Sequence, residues 1–75
     1  MDEKELLLVK DSIQNLYGDL FTMRILKTKT DMPIQKIHSY IQVLIHDNMI
    51  EVFSASYYHK KPRHVIYRRV HNGMD

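Results

Sequence analysis

The spacing of apolar residues changes abruptly near residue 49, and this change limits the chain to few folds. In PIQKIHSYIQVLIHD, residues 33–47, apolar side chains recur every three or four positions, the period of a helix with one buried face. From Met49 onward, MIEVFSASYY and HVIYRRV are rich in β-branched and aromatic residues, which is typical of paired strands. The sequence therefore predicts a helix over about residues 33–47, opened by Pro33, that leads into an antiparallel hairpin over about residues 49–70. Either Ile50 and Val52 or Phe53 and Ala55 form its buried face.

A first helix is predicted over about residues 3–16, within DEKELLLVKDSIQNLYGD. Its apolar stripe consists of Leu6, Val9, Ile13, Leu16 and Tyr17. Acidic residues crowd its first turn, where they suit the helix dipole, and Gly18 is the expected C-terminal stop.

Two leucines lie off that stripe. At about 100° per residue, Leu7 and Leu8 point away from it on either side. Three alternatives explain their positions: contact with the hairpin, plain exposure to solvent, or a contact in a dimer.

A second, shorter helix is predicted over about residues 22–29, in TMRILKTK, after a short extended link. Thr22 is its expected N-cap, and Ile25 and Leu26 are its expected buried pair. A turn follows at residues 30–32, where Asp31 suits left-handed backbone, and Asn48 suits the exit of the third helix.

The 75 residues are expected to form a single α+β domain over residues 1–75, with a frayed tail at residues 71–75. The chain contains no cysteine, so packing must provide its stability, and self-association is a further source that its small size allows. No apolar run approaches the roughly 20 residues of a membrane helix, and the N-terminus is acidic, so a cytoplasmic protein without membrane contact is expected.

The net charge is only +2, but the two signs are segregated along the chain. Acids dominate residues 1–20, whereas residues 57–70 contain five lysines and arginines and no acid. Such asymmetry in one small domain suggests a face that binds a polyanion.

Helix, extended link, helix, turn, helix and hairpin is the order of the winged helix-turn-helix domain. TKTDMPIQKIHSYIQVLIHDNMIEV resembles that family's turn, recognition helix and first wing strand, and the resemblance covers roughly residues 20–70. Where many members carry glycine before and after the recognition helix, this chain has Asp31 and Asn48, which also accept positive φ. In size the chain is similar to small stand-alone regulators of bacterial and archaeal mobile elements and viruses.

The resemblance implies that the third helix enters the major groove of duplex DNA. The candidate DNA-binding residues on its outward face are Gln35, Lys36, Ser39, Gln42 and His46. Glutamine can donate and accept at an adenine edge, and lysine can reach a guanine edge or a phosphate. The alternative is an ordinary solvated helix face.

The resemblance also implies that the hairpin end meets the DNA backbone or minor groove. We call residues 59–64, HKKPRH, the basic tip; its candidate contacts are His59, Lys60, Lys61, Arg63 and His64. Pro62 is expected to stiffen the turn, and the alternative is a charged turn that only prevents edge pairing. Further backbone contacts are expected from the second helix and the residues after it: Arg24, Lys27 and Lys29.

No active site or metal site is expected. His38 and His46 are eight positions apart, not the four that would bring two imidazoles to one metal, and no serine, paired carboxylates or glycine-rich loop suggests catalysis. No cofactor or small-molecule ligand is expected.

The leading hypothesis is a sequence-specific transcription regulator that binds double-stranded DNA, associates with the nucleoid, and forms a homodimer through Leu7 and Leu8. The alternative is a winged-helix adaptor or assembly subunit that binds protein and no nucleic acid. The absence of arginine from the third helix favours the adaptor, whereas the basic tip favours DNA.

Overall fold

The computed structural model describes residues 2–70, and the predicted tail at residues 71–75 lies outside this range. The elements follow in the order α1 (Glu3–Gln14), β1 (Leu20–Phe21), α2 (Met23–Thr30), α3 (Ile34–His46), β2 (Ile50–Tyr58) and β3 (Lys61–Arg69). Within the described residues, three helices accompany one antiparallel three-stranded sheet in the order β1-β3-β2. The predicted α+β class is confirmed. No helix in residues 2–70 is long and apolar enough to cross a membrane.

The core lies where the helices meet one face of the sheet. Its fully buried side chains are Val9, Phe21, Leu26, Ile37, Ile41 and Leu44. The extended link predicted before α2 is β1, which pairs with β3 and places the Phe21 ring 5.7 Å from the Tyr67 ring. This contact joins the first half of the chain to its last strand.

Local capping explains where the helices begin and end. The Asp2 carboxylate accepts hydrogen bonds from the backbone N–H groups of Lys4 and Glu5, and Thr22 caps α2 as predicted. Asp31 and Asn48 have φ values of 58° and 59°, so both predictions of left-handed backbone are confirmed.

The first helix is shorter than predicted. It ends at Gln14 with Asn15 as its C-cap, and Gly18, at φ 80°, lies in the loop beyond it. Tyr17 was predicted to belong to the buried stripe; this is wrong, because the chain has already left the helix and the ring is exposed. In α2 only Leu26 of the predicted pair is buried, whereas Ile25 is 38% exposed.

The hairpin turns at two residues. Tyr58 pairs with Lys61, and the two residues between them, His59 and Lys60, have φ values of 50° and 64°. Pro62 pairs with Tyr57 inside β3, so its predicted place in the turn is wrong.

Two register shifts interrupt the hairpin, between Val52 and Ser54 and between Ser54 and Ser56. The second spans His64, whose φ of 52° fits a β-bulge. Neither of the two predicted buried faces, Ile50 with Val52 or Phe53 with Ala55, is buried as a whole. Ile50 is buried, while Val52 and Phe53 are equally exposed on opposite faces. Only the base of the hairpin belongs to the core.

Candidate nucleic-acid interface

The outward face of α3 carries polar, uncharged side chains. Gln35, Ser39, Gln42 and His46 follow one another at helical spacing and are all exposed. The Ser39 hydroxyl donates to the Gln35 carbonyl at 3.1 Å, so its oxygen can still accept a hydrogen bond. This face offers donors and acceptors without charge.

Lys36, predicted as a DNA contact, is paired with α1. Its Nζ lies 3.0 Å from Glu5 Oε2, and the Tyr40 hydroxyl donates to Glu5 Oε1 at 2.9 Å. The hydrogen bonds from Lys36 and Tyr40 lower the pKa of Glu5, while burial and the bond to Glu5 raise the pKa of Tyr40. The charge of Lys36 is therefore largely compensated within the protein.

The two halves of α3 differ in their neighbours. Gln35 and Ser39 border a shallow depression that they share with Asp2 and Glu5 of the acidic N-terminal region. Gln42 instead faces the hairpin. An anion approaching α3 is therefore attracted more strongly on the hairpin side.

A groove of about 780 Å³ runs between that side of α3 and the hairpin. Helix α3 contributes His38, Gln42 and Ile45 to it, and the N-terminal end of α2 contributes Thr22, Met23 and Arg24. The hairpin supplies the opposite wall: Val52, Ala55, Tyr57, Pro62, Arg63, His64, Val65 and Tyr67. We call this cleft the central groove.

The basic tip is divided between two surfaces. His64 lines the central groove, His59 and Lys60 occupy the turn, and Lys61 opens β3. The Arg63 guanidinium lies 5.1 Å from the centre of the Tyr58 ring, and the side chains of all five predicted residues are exposed. Lys60, Lys61 and Arg63 therefore place three exposed positive charges near the end of the hairpin.

The α2 cations are exposed as well. Arg24 lines the central groove, and Lys27 and Lys29 lie in the last turn of the helix. Arg24 of α2 and Arg63 of the basic tip therefore both border the central groove, beside the hairpin side of α3.

The two arginines near the end of β3 take no part in this surface. Arg68 pairs with Glu51 and covers the Phe53 ring at 5.3 Å. Arg69 donates to the carbonyl oxygens of Ile13, Gln14 and Gly18. Arg69 is thus a tertiary cap on the C-terminal end of α1.

Sequence reasoning missed His38 and Tyr57 as residues of the central groove. The signal for His38 was its spacing of four and seven from Gln42 and Ile45, which places all three on one side of α3. No local signal identifies Tyr57, because the side on which it lies depends on the bulges in the hairpin.

The predicted dimer residues, Leu7 and Leu8, are exposed on α1 at 57% and 45% and do not belong to the core cluster. In residues 2–70, no three histidine or carboxylate side chains lie close enough to hold a metal ion.

No protein-family model, no curated protein and no solved structure matches the chain.

Proposed function

We propose that this protein is a winged helix-turn-helix regulator that binds double-stranded DNA. In this proposal α3 enters the major groove and the hairpin is the wing, with its basic tip on the backbone or in the minor groove. The order of the elements and the strand order β1-β3-β2 are compatible with such a domain.

One observation carries the proposal: cations from α2 and from the basic tip border the hairpin side of the polar face of α3, and no aspartate or glutamate of residues 2–70 lines the groove between them. Helices α2 and α3 and residues 52–70 contain no aspartate or glutamate. Cations beside a polar helix face suit a ligand that presents phosphates next to base edges.

The hairpin side of α3 is the better candidate for reading bases. Gln42 can form a bidentate pair with an adenine edge, and His38 beside it is a further hydrogen-bonding group. Gln35 and Ser39 instead border a depression that Asp2 and Glu5 also line. We therefore expect Gln42 to contribute more to sequence preference than Gln35.

The backbone of the basic tip supports a functional role for its side chains. A two-residue hairpin turn with two positive φ values favours Asn-Gly, yet this chain has His59 and Lys60 there. Non-glycine residues at such angles cost on the order of 1 kcal/mol each. Ligand contact by these side chains offsets that cost in the bound state.

We expect the protein to bind DNA as a homodimer, because a single domain of this size buries too little surface on its own. A single small domain buries only about 600–1,000 Å² on DNA, and two half-sites supply the affinity of most regulators. The exposed Leu7 and Leu8 lie on α1, an acidic helix unsuited to DNA, and we assign the pairing surface to them.

The rival function is that of a protein-binding adaptor built on the same fold. The Lys36–Glu5 pair favours it, because that pair neutralises the sole lysine of a helix without arginine. An adaptor would have no affinity for duplex DNA.

Charge reversal in the basic tip separates the two functions. For Lys60→Glu with Lys61→Glu, we expect duplex affinity to fall and the log-log salt slope to become shallower by about 2, since each phosphate contact contributes about 0.9. The matched control is Lys4→Glu with Lys10→Glu on α1, which makes the same change in net charge away from the proposed interface.

Fluorescence anisotropy of a labelled duplex measures both variants. Equal losses of duplex affinity in the two variants would mean that net charge alone drives binding. An unchanged salt slope in the basic-tip variant would exclude the contact between the wing and DNA.

A further inference from the structure

The central groove has an apolar lining that binding to DNA leaves unexplained. Ile45 of α3 faces Val52, Tyr57 and Val65 of the hairpin, and the Val52 and Tyr57 side chains are 51% and 71% exposed. Phosphates and sugars gain little from such a surface, and exposed apolar side chains grouped in a concave site are typical of ligand pockets.

The charged groups around this lining all have the same sign. They are Arg24 and Arg63, which border the groove from α2 and β3, while His38 and His64 add hydrogen-bonding groups from α3 and β3. None of the acidic residues in the described part of the chain lines it. An occupant must therefore combine an apolar body with a negative charge.

We infer that the central groove binds an amphipathic organic anion, of the size and kind of an aromatic carboxylate. Its volume of about 780 Å³ lies in the range of small-molecule sites, roughly 300–1,000 Å³. The aromatic body packs on Ile45, Val52 and Val65, and the carboxylate pairs with Arg24, whose planar guanidinium group matches a carboxylate in a bidentate geometry. A free phosphate would leave the apolar lining in water.

The consequence for DNA rests on the proposed function. Arg24, Gln42 and Arg63 border the groove and belong to the proposed DNA surface. The anion therefore competes with the duplex, and its binding makes the protein a ligand-responsive regulator.

The direct test is an NMR titration of the uniformly ¹⁵N-labelled protein with 2-naphthoate, in the absence of DNA. We expect saturable shifts of backbone amides in residues 38–45 and 52–67, with a Kd of about 1 mM or lower, the affinity that a ligand of this size reaches with modest contacts. The uncharged 2-naphthamide is the matched ligand. It should bind at least about fivefold more weakly, because it lacks the charge-assisted hydrogen bonds.

Two pairs of variants localise the site. Val52 and Phe53 are both 51% exposed but lie on opposite faces of β2, so Val52→Ser should weaken 2-naphthoate about threefold and Phe53→Ser should not. Arg24→Gln should likewise weaken it, whereas Lys29→Gln removes one charge from the same helix outside the groove and should leave the Kd unchanged.

Three results would overturn the inference. The first is equal affinity for 2-naphthoate and 2-naphthamide, and the second is an equal effect of Val52→Ser and Phe53→Ser on the Kd. The third is a shift of the groove amides with protein concentration alone, which would place a second copy of the chain in the groove. Because this titration contains no DNA, its failure is independent of the proposed function. Displacement of a labelled duplex by 2-naphthoate then tests the competition separately.

Discussion

Arg68 and Arg69 are neighbours in β3, yet the structure gives them opposite importance for stability. Arg69 Nη1 donates to the Ile13 and Gln14 carbonyls at 3.2 Å each, and Nη2 donates to the Gly18 carbonyl at 2.7 Å and to Asp19 Oδ1 at 3.0 Å. Its side chain is 21% exposed. We predict that Arg69→Met is strongly destabilising and that Arg68→Met, which makes the same change in charge, is not.

The expected magnitude follows from these bonds. A hydrogen bond to a charged group contributes about 1.5–3 kcal/mol when buried, but two of the four are long and the Nε of Arg69 is buried without a partner. We therefore expect a loss of about 3 kcal/mol in the free energy of unfolding. A domain of this size has about 4–11 kcal/mol in total, so Tm should fall by about 12–24 °C.

For Arg68→Met the loss should stay below about 1 kcal/mol, because the Arg68–Glu51 pair is nearly half exposed on both sides. Urea unfolding followed by far-ultraviolet circular dichroism measures both variants against the wild type. Equal midpoints for the two variants would refute the assignment of Arg69 as the cap of α1.

Three further predictions address other contacts. Lys36 and Tyr40 lower the pKa of Glu5, so its ionised form stabilises the fold above the pKa of about 4.3 in the unfolded chain. The free energy of unfolding, measured in urea, should therefore be higher for the wild type than for Glu5→Gln by a constant amount near neutral pH. This difference should vanish as the pH falls through the lower pKa that Glu5 has in the folded protein, and a difference that persists in acid would contradict this. Leu26→Ala should cost about 2–5 kcal/mol and Ile25→Ala less than about 1 kcal/mol by the same denaturation assay, because only Leu26 is fully buried, and comparable losses would contradict the observed core. Leu8→Lys should leave the circular dichroism spectrum intact and shift the mass in sedimentation equilibrium toward the monomer; an unchanged mass would exclude this pairing surface.

Local chemistry identified much of the fold in advance. Asp31 and Asn48 occupy left-handed positions because their short polar side chains accept that backbone, and Thr22 caps α2 because its hydroxyl accepts the Ile25 N–H. Helical spacing likewise located Ile37 and Ile41 in the core. Each of these features depends on residues close together in the sequence.

The errors arise where distant residues decide the outcome. Periodicity alone extended α1 to about residue 16 and assigned Tyr17 to its buried stripe, but Arg69, 56 positions after Ile13, satisfies the carbonyls at the end of the helix. The pairing of Lys36 with Glu5 depends on the packing of α1 against α3 and is equally invisible in the local sequence. Pro62 lies within β3 because the hairpin turns at His59 and Lys60 alone. These residue types seldom form a two-residue turn, so the sequence did not indicate it.

These long-range contacts also change the candidate site. The pairing of Lys36 weakens the N-terminal half of α3 as an anion-binding surface, and the central groove brings His38 and Gln42 beside Arg24. The proposed DNA surface therefore centres on the hairpin side of α3, whereas the sequence distributed it along the whole helix.

The most direct test of duplex binding is fluorescence anisotropy of the wild-type protein with random and candidate operator duplexes over a series of salt concentrations. Three phosphate contacts from Lys60, Lys61 and Arg63 predict a log-log slope of about −3, and contacts from α2 make it steeper. Binding with such a slope, tighter for one sequence, is the predicted result. No binding at low salt would contradict the proposed function and favour the protein-binding adaptor.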